Sequence, residues 1–266
     1  MNPSIKALLT GAGLAVAVSA HAATITTFAA TYGNLYAGAD TVSGFNAYDF
    51  APGPVLLEGA QSASTGSNLT GIFEAYTGAH LAPNGSTVAA PNLNTTGSGP
   101  GYELTIAGNF SEHIDGISGG VTSFTLTGGN AAMYIGAPDY NFSTDSGFTD
   151  GSQLFSGNIV GGNGTFSDTG LGVTKLDFQA THYAGNVYSP GILGGTSVFT
   201  LQAPGAGSTS FLSGITSVDG HAVSSNDLLL AGDGNVTLTT VPLPPALWLL
   251  GSGIVGLVGF AGKRRV

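Results

Sequence analysis

The chain contains no cysteine, so burial and hydrogen bonds must hold its fold without any disulfide. It is almost as poor in cations. Of five Lys and Arg residues, four stand in the terminal segments as Lys6, Lys263, Arg264 and Arg265. Lys175 alone lies between them, against 15 acidic residues running from Asp40 to Asp233, which gives this central body a formal charge of −14. Phosphate backbones are bound by clustered Lys and Arg, so nucleic acid is excluded as a partner. Other acidic polymers are repelled as well unless divalent cations bridge them.

What is plentiful is glycine, 44 residues, together with Ser, Thr and Asn. That composition suits strands joined by many turns and does not suit long helices. Apolar residues alternate with polar ones at Tyr102, Leu104 and Ile106 against Glu103 and Thr105, and at Phe124 and Leu126 against Ser123, Thr125 and Thr127. Leu176, Phe178 and Ala180 alternate with Lys175, Asp177, Gln179 and Thr181; Phe199 with Leu201 and Val236 with Leu238 repeat the pattern. A period of two marks half-buried strands, one face inward and one toward water. The stretches Gly128-Gly129-Asn130 and Gly161-Gly162-Asn163 read as turns between such strands. The Pro-, Asn- and Gly-rich stretch from Leu81 to Gly101 reads as a long exposed loop. Strands recurring without helical spacers predict an all-β body, an antiparallel β-sandwich or a jelly-roll-like fold.

The two ends read as addresses. Lys6, the small apolar run Ala7–Val18 and Ala20-His21-Ala22 make residues 1–22 a signal peptide, leaving 23–240 as an exported β-rich domain. Residues 241–266 read VPLPPALWLLGSGIVGLVGFAGKRRV. The uncharged run Ala246–Gly262 is at the lower limit for a transmembrane helix, and Lys263, Arg264 and Arg265 form a basic tail that stays on the cytoplasmic side.

A V-P-x-P motif, an apolar helix and a terminal basic cluster together resemble a PEP-CTERM sorting signal, with Val241, Pro242, Leu243 and Pro244 as the motif. Leu243 replaces the glutamate of the commoner form. The resemblance implies processing near the motif by an exosortase-type membrane transpeptidase, after transient residence in the inner membrane. The body has a second resemblance. GYELTIAGNFSE, FTLTGGNAAMYIGAP, GFTDGSQLFSGNIVGGNGTF and NDLLL occur in an order similar to that of flocculation-associated PEP-CTERM proteins. It implies an exported, non-enzymatic surface or extracellular matrix protein that associates with extracellular polysaccharide and supports cell aggregation. A secreted polysaccharide-modifying hydrolase and a permanently anchored envelope protein stay open as other readings.

No catalytic motif survives inspection. Gly116-Ile117-Ser118-Gly119-Gly120 matches G-x-S-x-G in letters but lies between two strand patterns, where a β-turn is expected. His80, His113, His182 and His221 are isolated; His182 sits at the apolar parity of its strand, so a core or edge position is expected for it. Glu112 and His113 are adjacent in a strand and therefore point to opposite faces. In DYNFSTDSGFTDG, the residues Asp139, Asn141, Ser143, Asp145 and Asp150 fall at positions 1, 3, 5, 7 and 12 of a calcium loop. Thr144 stands where the sharp turn needs Gly, and Asp150 replaces the bidentate Glu, so the expectation is a looser calcium site built from Asp139, Asn141, Asp145 and Asp150. The tyrosines Tyr32, Tyr36 and Tyr48, with Tyr183 and Tyr188, could stack on sugar rings, but core and cross-strand roles are commoner for aromatics in a β fold.

Overall fold

The computed structural model describes residues 27–96, 100–206 and 209–240. The expected signal peptide at 1–22 lies outside these, as does the expected sorting segment at 241–266. Among the described residues no helix is long and apolar enough to cross a membrane.

Fourteen strands are formed among the described residues. In chain order they are β1 (Phe28–Thr31), β2 (Thr41–Phe45), β3 (Ala47–Glu58), β4 (Asn68–Leu81), β5 (Thr87–Val88), β6 (Glu103–Ser118) and β7 (Val121–Gly136). There follow β8 (Ser152–Ser167), β9 (Leu171–Tyr183), β10 (Tyr188–Ser189), β11 (Ile192–Gln202), β12 (Ser217–Val218), β13 (His221–Ala222) and β14 (Leu228–Thr240). The all-β, antiparallel body expected from the alternation is present. In place of two stacked sheets, however, one barrel-like sheet runs β3-β14-β11-β9-β8-β7-β6-β4, and β4 pairs back with β3. Each long strand pairs with the next long strand in sequence, so there is no Greek-key crossover of the kind a jelly roll requires. Closure leaves no free edge along these eight strands, which removes the template for edge-to-edge aggregation.

Phenylalanines from several strands fill the interior. Phe50 and Phe199 stack 6.4 Å apart, Phe73 lies 6.3 Å from Phe110 and 6.2 Å from Phe199, and Phe155 lies 5.7 Å from Phe178. Gly-Gly-Asn at 128–130 and 161–163 is not turn but mid-strand, inside β7 and β8. The reason is close backbone approach. A Cβ at Gly129 would overlap the Asn109 carbonyl, and one at Gly162 would overlap that of Lys175, so only glycine lets the curving strands come together there.

The two ends of the barrel differ. At one end a small sheet, β10-β1-β2, covers the opening. At the other, tight hairpins close β6 to β7 and β8 to β9. The first turns through Gly119 and Gly120, both with positive φ, so the G-x-S-x-G letters run from the end of β6, Gly116 to Ser118, into a β-turn. The outer face of β3, β4 and β14 is apolar and has its own cover. Leu212, Ile215 and Val218 of the 203–227 connection pack on Leu56, Ile72 and Ala231. The described residues of 82–101 are loop as expected, apart from β5, which pairs with the last two residues of β4.

Candidate functional site

The outer girdle of the barrel changes character along one row of cross-strand neighbours. Leu56 faces Ile72, and Ile72 faces Asn109. The row then continues through Asn130 and Asn158 to Gln179, on four adjacent strands in register. The apolar half of the row lies under the 203–227 connection, whereas the amide half is open. Asn109 is half-buried; Asn130, Asn158 and Gln179 are exposed. Asn130 donates to Asn109 Oδ1 at 3.2 Å, so the amides are already aligned side by side. With strands about 4.8 Å apart, four amides span roughly 14 Å. Each carries one acceptor and two donors, the pairing that hydroxyl-rich polymers can use. Gly128 and Gly161 lie beside this row with open space above them, and Val160, Val173 and Val198 are exposed on the same wall.

The acids take unexpected places. Glu103 stands at the polar parity read as solvent-facing, yet it is 1% exposed, because the 137–151 connection lies over it. The Tyr140 N–H donates to its Oε2 at 3.2 Å, and Thr105 Oγ1 donates to the Phe148 carbonyl at 2.7 Å. Burial pushes the Glu103 carboxyl up to about 8. Glu74, also 1% exposed, takes an N–H from Asp219 at 3.3 Å and meets the Asp145 carboxyl. Burial, and then the negative charge of Asp145, push Glu74 up to about 9. Burial alone would raise Asp145 too, but hydrogen bonds from Ser217 and the Gly220 N–H hold it below its ordinary value. Glu74 is therefore the protonated partner of an acid pair that ties two connections to β4.

Two of the expected calcium ligands, Asn141 and Asp145, are held by other groups. Asn141 Oδ1 accepts the N–H groups of Ser143, 2.9 Å away, and Thr144, 3.3 Å away, closing its own turn. Asp145 turns to Gly220, whose N–H lies 2.8 Å from Oδ2. Asp139 and Asp150 act instead on Glu103. Among the described residues, no three acidic or histidine side chains form a group able to hold a metal ion.

The histidines also separate. His113 turns outward to Asn68 and His221 to Glu58, while Glu112 points inward, so adjacent strand residues do face apart. His182 is exposed rather than core: a register shift in β8–β9 at Ser156/Gly157 reverses the parity of the strand end. His80 is the buried one. The hydroxyls of Tyr188 and Tyr48 lie 2.8 Å apart and those of Tyr48 and Tyr32 2.7 Å, and Tyr32 reaches His80 Nε2 at 2.8 Å. Burial lowers His80 to about 4 and raises all three tyrosines, so the chain is neutral. These aromatics close the covered end of the barrel and are sealed from any sugar. Sequence reasoning missed Glu74, Glu103 and the His80 cluster. For Glu103 a signal existed in Tyr140, Phe142 and Phe148, three aromatics in one turn-rich connection that needed a surface to cover.

Compared with protein-family models, with characterised proteins and with solved structures, the chain matches none.

Proposed function

We propose that this chain is an exported, non-enzymatic surface or extracellular matrix protein whose open wall binds extracellular polysaccharide and so supports cell aggregation. The observation that supports this is the uncovered amide row Asn109–Asn130–Asn158–Gln179. An exposed, amide-bearing wall suits a long hydroxylated polymer, where many weak contacts add up. Exposed valines beside it offer patches for the apolar faces of sugar rings. In the same proposal, residues 1–22 direct export. An exosortase-type transpeptidase then processes the chain near Val241–Pro244 after transient anchoring in the inner membrane.

The acid pair Glu74–Asp145 does not favour a hydrolase. Glu74 is buried beneath two connections, out of reach of a sugar, whereas glycoside hydrolysis needs two carboxyls that flank the scissile bond.

The test is co-sedimentation of the purified chain with polysaccharide from the host's own matrix. The triple variant Asn130→Ala, Asn158→Ala, Gln179→Ala should keep its thermal midpoint and lose at least about tenfold in apparent affinity, given the modest net worth of each hydrogen bond. Equal binding by the triple variant would sink the proposal. The intact mass of protein from the matrix fraction tests the processing half. Loss of 1–22 and of the residues after the motif is expected, and a chain ending at Val266 would refute it.

A further inference from the structure

The end of the barrel opposite the small sheet holds a cavity of about 190 Å³. Its wall is built by Leu57, Leu69, Ile114, Phe124 and Leu201, contributed by five barrel strands, with Ala60 and Ala63 of the β3–β4 connection beside them. Ile117, half-exposed, stands at the rim. Into this apolar space one carboxyl projects. Glu112 pairs across the ladder with Leu69 on one side and Leu126 on the other, both interior residues, and is only 2% exposed.

Among the described residues no group is hydrogen-bonded to this carboxyl or paired with it. Burial alone perturbs it, pushing it up to about 7, with no hydrogen bond or charge to oppose the effect. Its neighbour His113 faces outward and bonds Asn68 Oδ1 at 2.9 Å. The body's one lysine, Lys175, lies 3.7 Å from Asp177. Among the described residues no cation therefore reaches Glu112 to pair with its ionised form.

We infer that this cavity is a binding site for a small apolar primary amine, its hydrocarbon part held among the leucines and phenylalanines and its ammonium group on Glu112. The size follows from volume. A dry cavity of about 150 Å³ takes benzene, so this one takes about eight non-hydrogen atoms. The charge follows from the carboxyl, since an ammonium group supplies both the missing positive charge and the missing donors. The site lies inside the barrel, away from the amide wall, and stands or falls independently of polysaccharide binding.

Benzylamine, with eight non-hydrogen atoms, is the probe, and ethylbenzene is its shape-matched partner without nitrogen. Titration calorimetry on the full chain should give a Kd of about 1 mM or tighter for benzylamine, a reasonable efficiency for so small a ligand. Methyl resonances of Leu69, Ile114 and Leu228 should shift with it. Glu112→Gln keeps the shape and should weaken benzylamine at least about tenfold while leaving ethylbenzene within about twofold. Ala63→Phe fills the cavity and should abolish both. Failure of the wild-type chain to bind benzylamine would overturn the inference, as would equal affinity in wild type and Glu112→Gln. Should Glu112→Gln not fold, the wild type still decides: a preference for ethylbenzene over benzylamine would refute the assigned role of the carboxyl.

Discussion

One oxygen atom carries much of the order at the covered end of the barrel. The Tyr32 hydroxyl contacts both Tyr48 and His80, and those residues come from β3 and β4, while Tyr32 belongs to the segment that covers the opening. Replacing it by hydrogen in Tyr32→Phe leaves the ring packing intact but deprives His80 Nε2 of its partner, while Tyr48 keeps Tyr188. A buried group left unpaired costs about 1–3 kcal/mol, so the variant should lose roughly that much in chemical denaturation. A loss below about 0.5 kcal/mol, the range of ordinary surface changes, would mean the network does not hold the cover in place. The aromatic part of this cluster was legible, because Tyr32, Phe45, Tyr48 and Phe50 crowd into one short stretch. The participation of His80 and Tyr188 was not. They come from 48 and 156 residues after Tyr32, and only closure of the barrel brings them to it.

At the scale of strands, paired glycines give a sharp contrast. Gly129 and Gly162 sit where neighbouring backbones nearly touch, whereas a Cβ at Gly128 or Gly161 meets nothing within 4 Å. Gly129→Ala and Gly162→Ala must push strands apart and should each cost about 2 kcal/mol or more, within the range for overpacking. Gly128→Ala and Gly161→Ala should stay within about 0.5 kcal/mol, as open surface changes do. Thermal unfolding of the four variants measures this directly, and equal costs in the two pairs would refute the close-approach account. The alternating strands themselves were readable, and so were their inward residues. Their lengths and register were not. Gly-Gly-Asn carries the letters of a turn, but here glycine serves contact between strands, and one sequence cannot tell the two uses apart. His182 shows the same limit, since a single bulge reverses the parity from which its side was read.

For the whole molecule, alternation specified antiparallel β structure but not whether the sheet would close. Closure depends on β3 meeting both β14 and β4, pairings whose partners are up to 190 residues apart. The same distance hid the acids. Glu74 and Glu103 look solvent-facing in their own strands and become buried only because connections fold over them. Their burial has a consequence for pH. Glu112, Glu103 and Glu74 are raised to about 7, 8 and 9, chiefly by desolvation. In each case the folded protein holds a proton that the unfolded chain, titrating near 4.3, releases more readily. The stability they lend is complete below about pH 4 and is lost as pH rises through 7 to 9. His80 works the other way: lowered to about 4 by burial, it costs stability as pH falls from about 6.5 toward 4. Three groups outweigh one above pH 5, and repulsion within a body of charge −14 adds to the loss at high pH. The thermal midpoint should therefore be highest at about pH 4 to 5 and decline toward pH 9, by about 2–4 °C for each kcal/mol lost. The double variant Glu74→Gln, Glu103→Gln keeps the hydrogen-bonding shape of the neutral acids and should flatten that decline while changing little at pH 5. A midpoint that rises between pH 5 and pH 8 in the wild type would refute the assignment. An undiminished slope in the double variant would move the titration to other groups.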